Sequence, residues 1–375
     1  MPPEEAGHEQ VDGREGPGLG AERVTLRVVA EDLGVSRATV SNAYNRPDQL
    51  SEALRTRILA RAAELGFAGP DPVARGLRRG RVGAVGVLVD HSISYAFSDP
   101  VAVLVLDGLA EELQADGFGL LLHAASDRPG GEHLVRAAAV DGWVLMTVPA
   151  RHPTVAAARA AGRPLVVLDE PALAGVPAVT IDDAGGARAA AEHLLSLGHR
   201  SIGVLTSPLH RDAPPGRLDP RAPTDAPDSV MSTRLAAVTA TLRAAGVREQ
   251  AMPVVECSAS AQAAGREGTA LLLEGPLRPT AVLALSDQLA LGALQYAREH
   301  RLSVPGALSL MGFDDAPPGR TSHPPLTTVA QPIRERGTAA GSLMRVLLRG
   351  HPVTAPPPFA THLVVRGRTA PPPER

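Results

Sequence analysis

Arg37, Ala38, Ser41 and Asn42 recur at helical spacing, so a helix over this stretch carries them on one face. A guanidinium grips a guanine edge or a phosphate, a methyl group touches a thymine methyl, and a carboxamide suits adenine. The chemistry on offer is contact with the major groove of a duplex, with Arg37, Ala38 and Asn42 as candidate base readers. Thr25, Ser36, Thr39, Ser41 and Asn45 suit phosphates and helix caps, which position a helix without reading sequence.

Two short helices broken at Gly34-Val35 must hold those groups. Thr25 and Ser36 stand where a hydroxyl oxygen caps the free N–H groups of a helix start. Gly34 supplies the permissive backbone of the turn between them. Val28, Val29, Leu33, Val35, Val40 and Ala43 are expected on the inward faces. A third helix opens at Ser51, repeats Leu54, Ile58, Ala62 and Leu65 on one face, and stops at Gly66. The spacing predicts an all-α helix-turn-helix head over residues 23–69. Residues 1–22 lack apolar periodicity and read as a disordered tail. Gly69-Pro70-Asp71-Pro72 breaks regular structure, and 70–81 reads as a linker whose short segment Val73–Arg79 is a marginal helix on its own.

From Val82 the pattern changes. Val85–Val89, Leu120–His123, Gly142–Thr147, Leu165–Leu168, Ile202–Leu205 and Val282–Leu285 read as buried strands. Between them, Ala102–Asp116, Gly185–Leu197, Met231–Ala245 and Leu289–His300 read as helices, so a parallel sheet covered on both faces is expected. Residues 207–230, rich in Pro, Asp and Arg, read as a long loop. Pro356–Pro358 and Ala370–Arg375 are irregular, the last five residues forming a tail.

The charge is uneven. The first 22 residues hold six acids against one arginine, whereas residues 23–81 hold eleven arginines against six acids. A basic head on an acidic body is the electrostatic footprint of a nucleic-acid-binding module. The 375 residues exceed one small module, and an apolar fraction of 44% supports a large core. Aromatics make up only 2%, so aliphatic side chains must fill that core. A single cysteine, Cys257, excludes a disulfide framework and gives no paired metal ligands. With no secretory signal and no membrane-length apolar run, a cytoplasmic protein is expected.

These residues resemble the LacI/GalR (lactose repressor) family of bacterial transcription regulators over residues 24–370. The match runs through Thr25-Leu26, Val28, Ala30, Gly34-Val35-Ser36, Thr39-Val40-Ser41 and Asn45, then Ala74-Arg75-Gly76-Leu77-Arg78. It continues through Glu192-His193-Leu194, Leu197–Arg200 and Ile202, then Ala281-Val282, Ser286-Asp287 and Ala290–Ala293. Val304-Pro305, Ser309, Gly312–Asp315, Pro325–Val329 and Gln331 complete it. Two positions depart from the family pattern. Asn42 stands where the family usually has Arg, which shifts base preference toward adenine. Ser286-Asp287 replaces Asn-Asp, which alters hydrogen bonding to an effector.

The resemblance implies an α/β periplasmic-binding-protein-like body of two doubly wound lobes over residues 82–370. Lobe 1 would take about 82–181 and 331–350, and lobe 2 about 182–330 and 351–370. It implies that two hinge helices meet in the minor groove, where Leu77 wedges a base step beside Ala74, Arg75 and Arg78. An ordinary packed leucine is the plainer reading of Leu77. One head offers few contacts, so a homodimer on a palindromic operator follows.

Ligands of open parallel sheets sit at the carboxyl ends of the strands. Asp169 and Asp314 follow strands and Arg234 stands at a helix start, and an arginine flanked by carboxylates can donate to and accept from sugar hydroxyls. Ser286, Phe97 and Asp99 join them as candidate effector groups, with Tyr95 beside Phe97 in the loop after the first strand. Asp287 reads as the cap of the next helix, and Ile333 as either cleft lining or core.

The reading is a dimeric repressor controlled by a small carbohydrate, with no cofactor, no catalytic residues and no membrane partner. His193 and His199 lack metal-site spacing. Gly83 and Gly86 lack the dinucleotide fingerprint, and no nucleophile elbow occurs, which disfavours a dehydrogenase or hydrolase. A soluble sugar-binding receptor of the same body fold is the alternative, disfavoured by the complete head.

Overall fold

The computed structural model describes residues 24–67, 69, 81–90, 92–125, 130–209, 214–218, 229–275 and 278–374. The tail 1–22 and the hinge residues Ala74, Arg75, Leu77 and Arg78 lie outside them. The chain divides into two compact units at Arg81/Val82.

The head is three helices, α1 (Leu26–Leu33), α2 (Arg37–Asn45) and α3 (Glu52–Glu64). Val29, Ala30, Val40, Ala43, Ile58 and Ala62 form its core. Gly34 sits at φ 65, the left-handed turn that a Cβ would strain. The Ser36 hydroxyl accepts from Thr39 N–H at 3.0 Å, and Ser51 accepts from Leu54 N–H at 3.3 Å. Thr25 corrects the expectation: it occupies the cap position of α1, but its side chain makes no capping hydrogen bond. Val28 is also corrected. It is 38% exposed, because the inward stripe of α1 runs through its neighbours Val29 and Ala30.

The body holds two five-stranded sheets. The first runs β2 (Gly119–Ala124), β1 (Ala84–Val89), β3 (Gly142–Met146), β4 (Leu165–Leu168) and β5 (Ala178–Val179), all parallel. The helices of this part are α4 (Ile93–Ser98), α5 (Pro100–Gln114), α6 (Gly131–Ala137) and α7 (Pro153–Ala160). Continuous apolar burial along β1, β3 and β4 explains their runs of Val and Leu, since both sheet faces are covered. The incoming chain is fastened at the amino end of this sheet. Buried Asp141 accepts from the N–H groups of Val82 at 2.8 Å and Gly83 at 2.6 Å.

The second sheet follows helix α8 (Asp183–Ser196). Its order is β10 (Ser309–Met311), β9 (Ala281–Ala284), β6 (Ile202–Thr206), β8 (Val254–Glu256) and β7 (Gly216–Leu218). Helices α9 (Val230–Ala244), α10 (Gln262–Leu273), α11 (Asp287–Glu299) and the short α12 (Pro317–Thr321) belong to this part. Strand β7 pairs antiparallel with β8, so the 207–230 segment is not all loop and the sheet is not purely parallel. Its short Gly-Arg-Leu pattern carries no strand period to read.

The chain crosses between the lobes after β5, and again after β10 by way of β11 (Thr328–Ala330). Helix α13 (Ile333–Leu348) then packs Ile333, Ala340 and Met344 into the first lobe, which assigns Ile333 to core. β12 (His362–Val364) returns to pair antiparallel with β11, and Phe359 packs on both cores.

Candidate functional site

Arg37 and Ala38 are exposed on the first turn of α2, and Asn42 is half-buried one turn on. Arg37 has no ion pair among the described residues. The Asn42 amide donates to Gln49 Oε1 at 3.2 Å, and Asn45 donates to the Ser41 carbonyl oxygen at 2.9 Å. Ser36 and Thr39 hydroxyls lie 2.8 Å apart. The head thus carries these groups on and beside α2, with Asn42 engaged to Gln49, Ser36 to Thr39 and Asn45 to Ser41.

The second concentration of polar groups lies between the lobes, at the carboxyl ends of the strands. Asp169 follows β4 at φ 63, and Asp314 follows β10 at φ 120; both are non-glycine residues in left-handed backbone, a strain that collects at functional positions. Arg234, on the second turn of α9, is 3% exposed. It donates from Nε to Asp183 Oδ1 at 2.7 Å and from Nη1 to the Leu285 carbonyl at 2.8 Å. Its Nη1 lies 3.5 Å from Asp314 Oδ1, and the guanidinium lies 3.7 Å from the centre of the Phe313 ring. Asp314 accepts from Gln331 Nε2 at 2.6 Å.

Arg234 and Asp314 therefore meet as expected, while Asp169 belongs to a neighbouring group. Its Oδ2 accepts from Arg336 Nη2 at 3.0 Å, and Arg336 Nη1 donates to Gln331 Oε1 at 2.5 Å. Arg336, Gln331 and Asp183 were not singled out as ligand groups. The signal for Arg336 was available: an arginine on the inward face of an amphipathic helix, four residues before Ala340.

Three other expectations change. Ser286, not Asp287, caps α11, its hydroxyl accepting from Leu289 N–H at 3.3 Å and from Ser260 Oγ at 2.8 Å. Asp287 is fully buried one residue later, accepting from Thr328 Oγ1 at 2.6 Å and Ala316 N–H at 2.8 Å. Gly312 leaves room for it, since a Cβ there would lie 2.2 Å from Asp287 Oδ1. Residues 93–98 are a helix rather than a loop; Phe97 on it is 66% exposed, whereas Tyr95 turns inward and donates to the Ser260 carbonyl at 3.4 Å. Asp99 caps α5 by accepting from Val101 N–H at 3.1 Å.

The electrostatics are those of crowded, partly dehydrated carboxylates. Burial pushes Asp314 up to about 7 against the pull of Arg234, and Asp99 adds repulsion. Burial likewise pushes Glu170 up to about 7, against the Val230 N–H that donates to it at 2.9 Å and with repulsion from Asp169, Asp90 and Asp183. Asp183 is raised by burial, with Arg234 opposing. Asp169 Oδ1, Ser207 Oγ and Arg336 Nε are buried without a hydrogen-bond partner. Glu170 and Tyr95, from the first lobe, bond to Val230 and Ser260, from the second, so the lobes face each other across this cluster. Among the described residues no His, Cys, Asp and Glu group could hold a metal ion, and no helix is long and apolar enough to cross a membrane.

A helix-turn-helix head joined to a two-lobed α/β body of periplasmic-binding-protein type defines a DNA-binding transcriptional regulator. Residues 25–69 match the bacterial regulatory proteins of the lacI family, and residues 191–369 match the periplasmic binding protein-like domain. An HTH-type transcriptional regulator of Mycolicibacterium smegmatis is 40% identical over 365 residues, covering 94% of this chain and 97% of that protein. The lac repressor dimer bound to operator and the anti-inducer ONPF aligns with TM-score 0.72 at 26% identity, covering 93% of this chain and 100% of that one. The complex of the transcriptional regulator CelR with cellobiose aligns with TM-score 0.64 at 26% identity, covering 92% and 100%. The chain belongs to the LacI family, whose members are regulators of transcription rather than enzymes.

Proposed function

We propose that this regulator binds a palindromic operator as a homodimer and that a small carbohydrate held between its lobes controls the affinity. The observation that carries the reading is the interlobe cluster. Arg234, near the start of α9, and Asp314, after β10, sit in a preassembled network, and three buried polar atoms at this end of the strands still lack partners. Sugar hydroxyls both donate and accept, which suits such a mixed set. The cellobiose complex of CelR and the operator-bound lac repressor dimer support it by analogy.

On this reading Arg37, Ala38 and Asn42 read bases, while Thr25, Ser36, Thr39, Ser41 and Asn45 serve the backbone. Ala74, Arg75, Leu77 and Arg78 form the minor-groove hinge. Asp169, Arg234, Ser286 and Asp314 contact effector, and Asp99 and Phe97 lie at the edge of that site. An effector that binds one arrangement of the lobes better than the other shifts the dimer between states of unequal operator affinity. The test has two arms: selection from random duplex DNA, followed by sedimentation of the complex, and titration of that complex with free sugars. Enrichment of a dyad sequence by a dimer, with affinity changed by a sugar, supports the reading. A monomer with no preference over bulk duplex overturns it.

A further inference from the structure

We infer that Arg336 and Asp169 form a hydroxyl-reading pair in the first-lobe wall of the cleft, restricting the effector to an uncharged polyol and excluding phosphate esters and sugar acids. The inference rests on the reading of the interlobe cluster as the effector site.

Arg336 is 3% exposed on α13, a long way in sequence from the groups it meets. Nη1 donates to Gln331 Oε1 and Nη2 to Asp169 Oδ2. The two side chains touch through Nη2 and Oδ2 alone. Arg336 Nε and Asp169 Oδ1 are both buried and both unpartnered. Leaving such atoms unpaired is costly, so a group that completes this wall gains by accepting from one and donating to the other. A hydroxyl does both. Water can hold the same bonds in the free protein, and a ligand hydroxyl that displaces it keeps them. A carboxylate or dianionic phosphate oxygen accepts from Nε but has no proton for Oδ1.

Charge argues the same way. Both guanidiniums are already matched, Arg234 by Asp183 and Asp314, and Arg336 by Asp169. Asp90 faces Glu170 and Asp99 faces Asp314, adding negative charge to the cluster. Among the described residues of this cluster an incoming anion finds no uncommitted cation and several carboxylates. Burial first, and neighbouring carboxylates after it, push Asp314 and Glu170 upward, and an uncharged ligand adds nothing to that repulsion.

The experiment uses the full chain, with thermal shift and calorimetry against free pentoses, hexoses and cyclitols, their monophosphates, and the matching uronic acids. Deoxy analogues of the best binder complete the panel. The proteins are wild type, Arg336→Lys, Arg336→Met and Arg234→Ala, with unliganded melting curves establishing which variants fold. An uncharged polyol should bind wild type, its monophosphate should bind at least ~100-fold more weakly, and Arg336→Lys should lose about 10–100-fold for the polyol, the range of one unpaired buried group. One deoxy analogue, lacking the hydroxyl that Arg336 reads, should bind wild type and Arg336→Lys alike. That equality separates hydroxyl reading from a structural role, which would weaken all analogues together. A monophosphate or acid binding as tightly as the polyol overturns the inference and leaves the effector site standing. So does Arg336→Lys binding the polyol within ~2-fold of wild type while Arg234→Ala loses it, or uniform weakening across every deoxy analogue. If no compound in the panel binds wild type, both the inference and the effector reading fall.

Discussion

The head and the cleft use arginine under opposite conditions. Arg37 stands exposed on α2 with no ion pair among the described residues, whereas Arg234 is 3% exposed and held by Asp183, Asp314 and the Leu285 carbonyl. The exposed guanidinium keeps its hydration and its freedom until a duplex replaces the water, so its effect is sensitive to salt and close to separable. The buried one was dehydrated at folding and is coupled to its carboxylates, so removing it changes the state of several groups.

The largest test of this contrast is Arg234→Ala. It leaves Asp183 and Asp314 buried without their cation, and denaturant unfolding should show a loss of about 3–5 kcal/mol together with loss of the effector response in operator titrations. A stability change below ~1 kcal/mol would mean that water reaches the pair. Next comes Arg37→Ala, which should weaken specific operator binding by about 1–3 kcal/mol in gel shifts and leave the unfolding curve within ~0.5 kcal/mol of wild type. Unchanged operator affinity would remove Arg37 from base readout. Third, Ser36→Ala should destabilise the head by ~1 kcal/mol, while Thr25→Ala, which breaks no capping bond, should cost less. Equal losses in thermal unfolding would show that Thr25 caps in solution. The smallest effect is a slope. Glu170 and Asp314 sit near 7, above ordinary carboxylates, so the folded body binds extra protons between about pH 4 and pH 7. Stability from these groups is present at the acid end and falls as pH rises through 7. Glu170→Gln should flatten the drift of melting temperature with pH over that window, and an unaltered drift would place the proton uptake elsewhere.

How much could be read beforehand differed between the same two regions. The head is local: Ser36, Gly34, Val40 and Ile58 act within a few turns of one another, so the Ser36 and Ser51 caps, the turn and most of the core followed from spacing, while Thr25 and Val28 did not. The sheets were legible where strands are apolar runs, as Leu165–Leu168 was to the residue. Short strands such as β7 and β12 have too few residues to show a period. In the cleft, Arg234 and Asp314 were visible because they sit beside recognisable element ends. Arg336 and Asp169, separated by 167 positions, meet only through the return of α13 to the first lobe. No local pattern encodes that meeting. Asp287 was misjudged because a carboxylate at a helix start is normally a cap, and here Ser286 takes that bond while Asp287 turns toward Thr328.

The fastening at Asp141 has a mechanical consequence. Its carboxylate clamps the backbone at Val82 and Gly83 onto the amino end of a single sheet, beside the first residue of β3. The strand that enters the body therefore moves as a rigid extension of that sheet, and any swivel of the first lobe passes into it without slack.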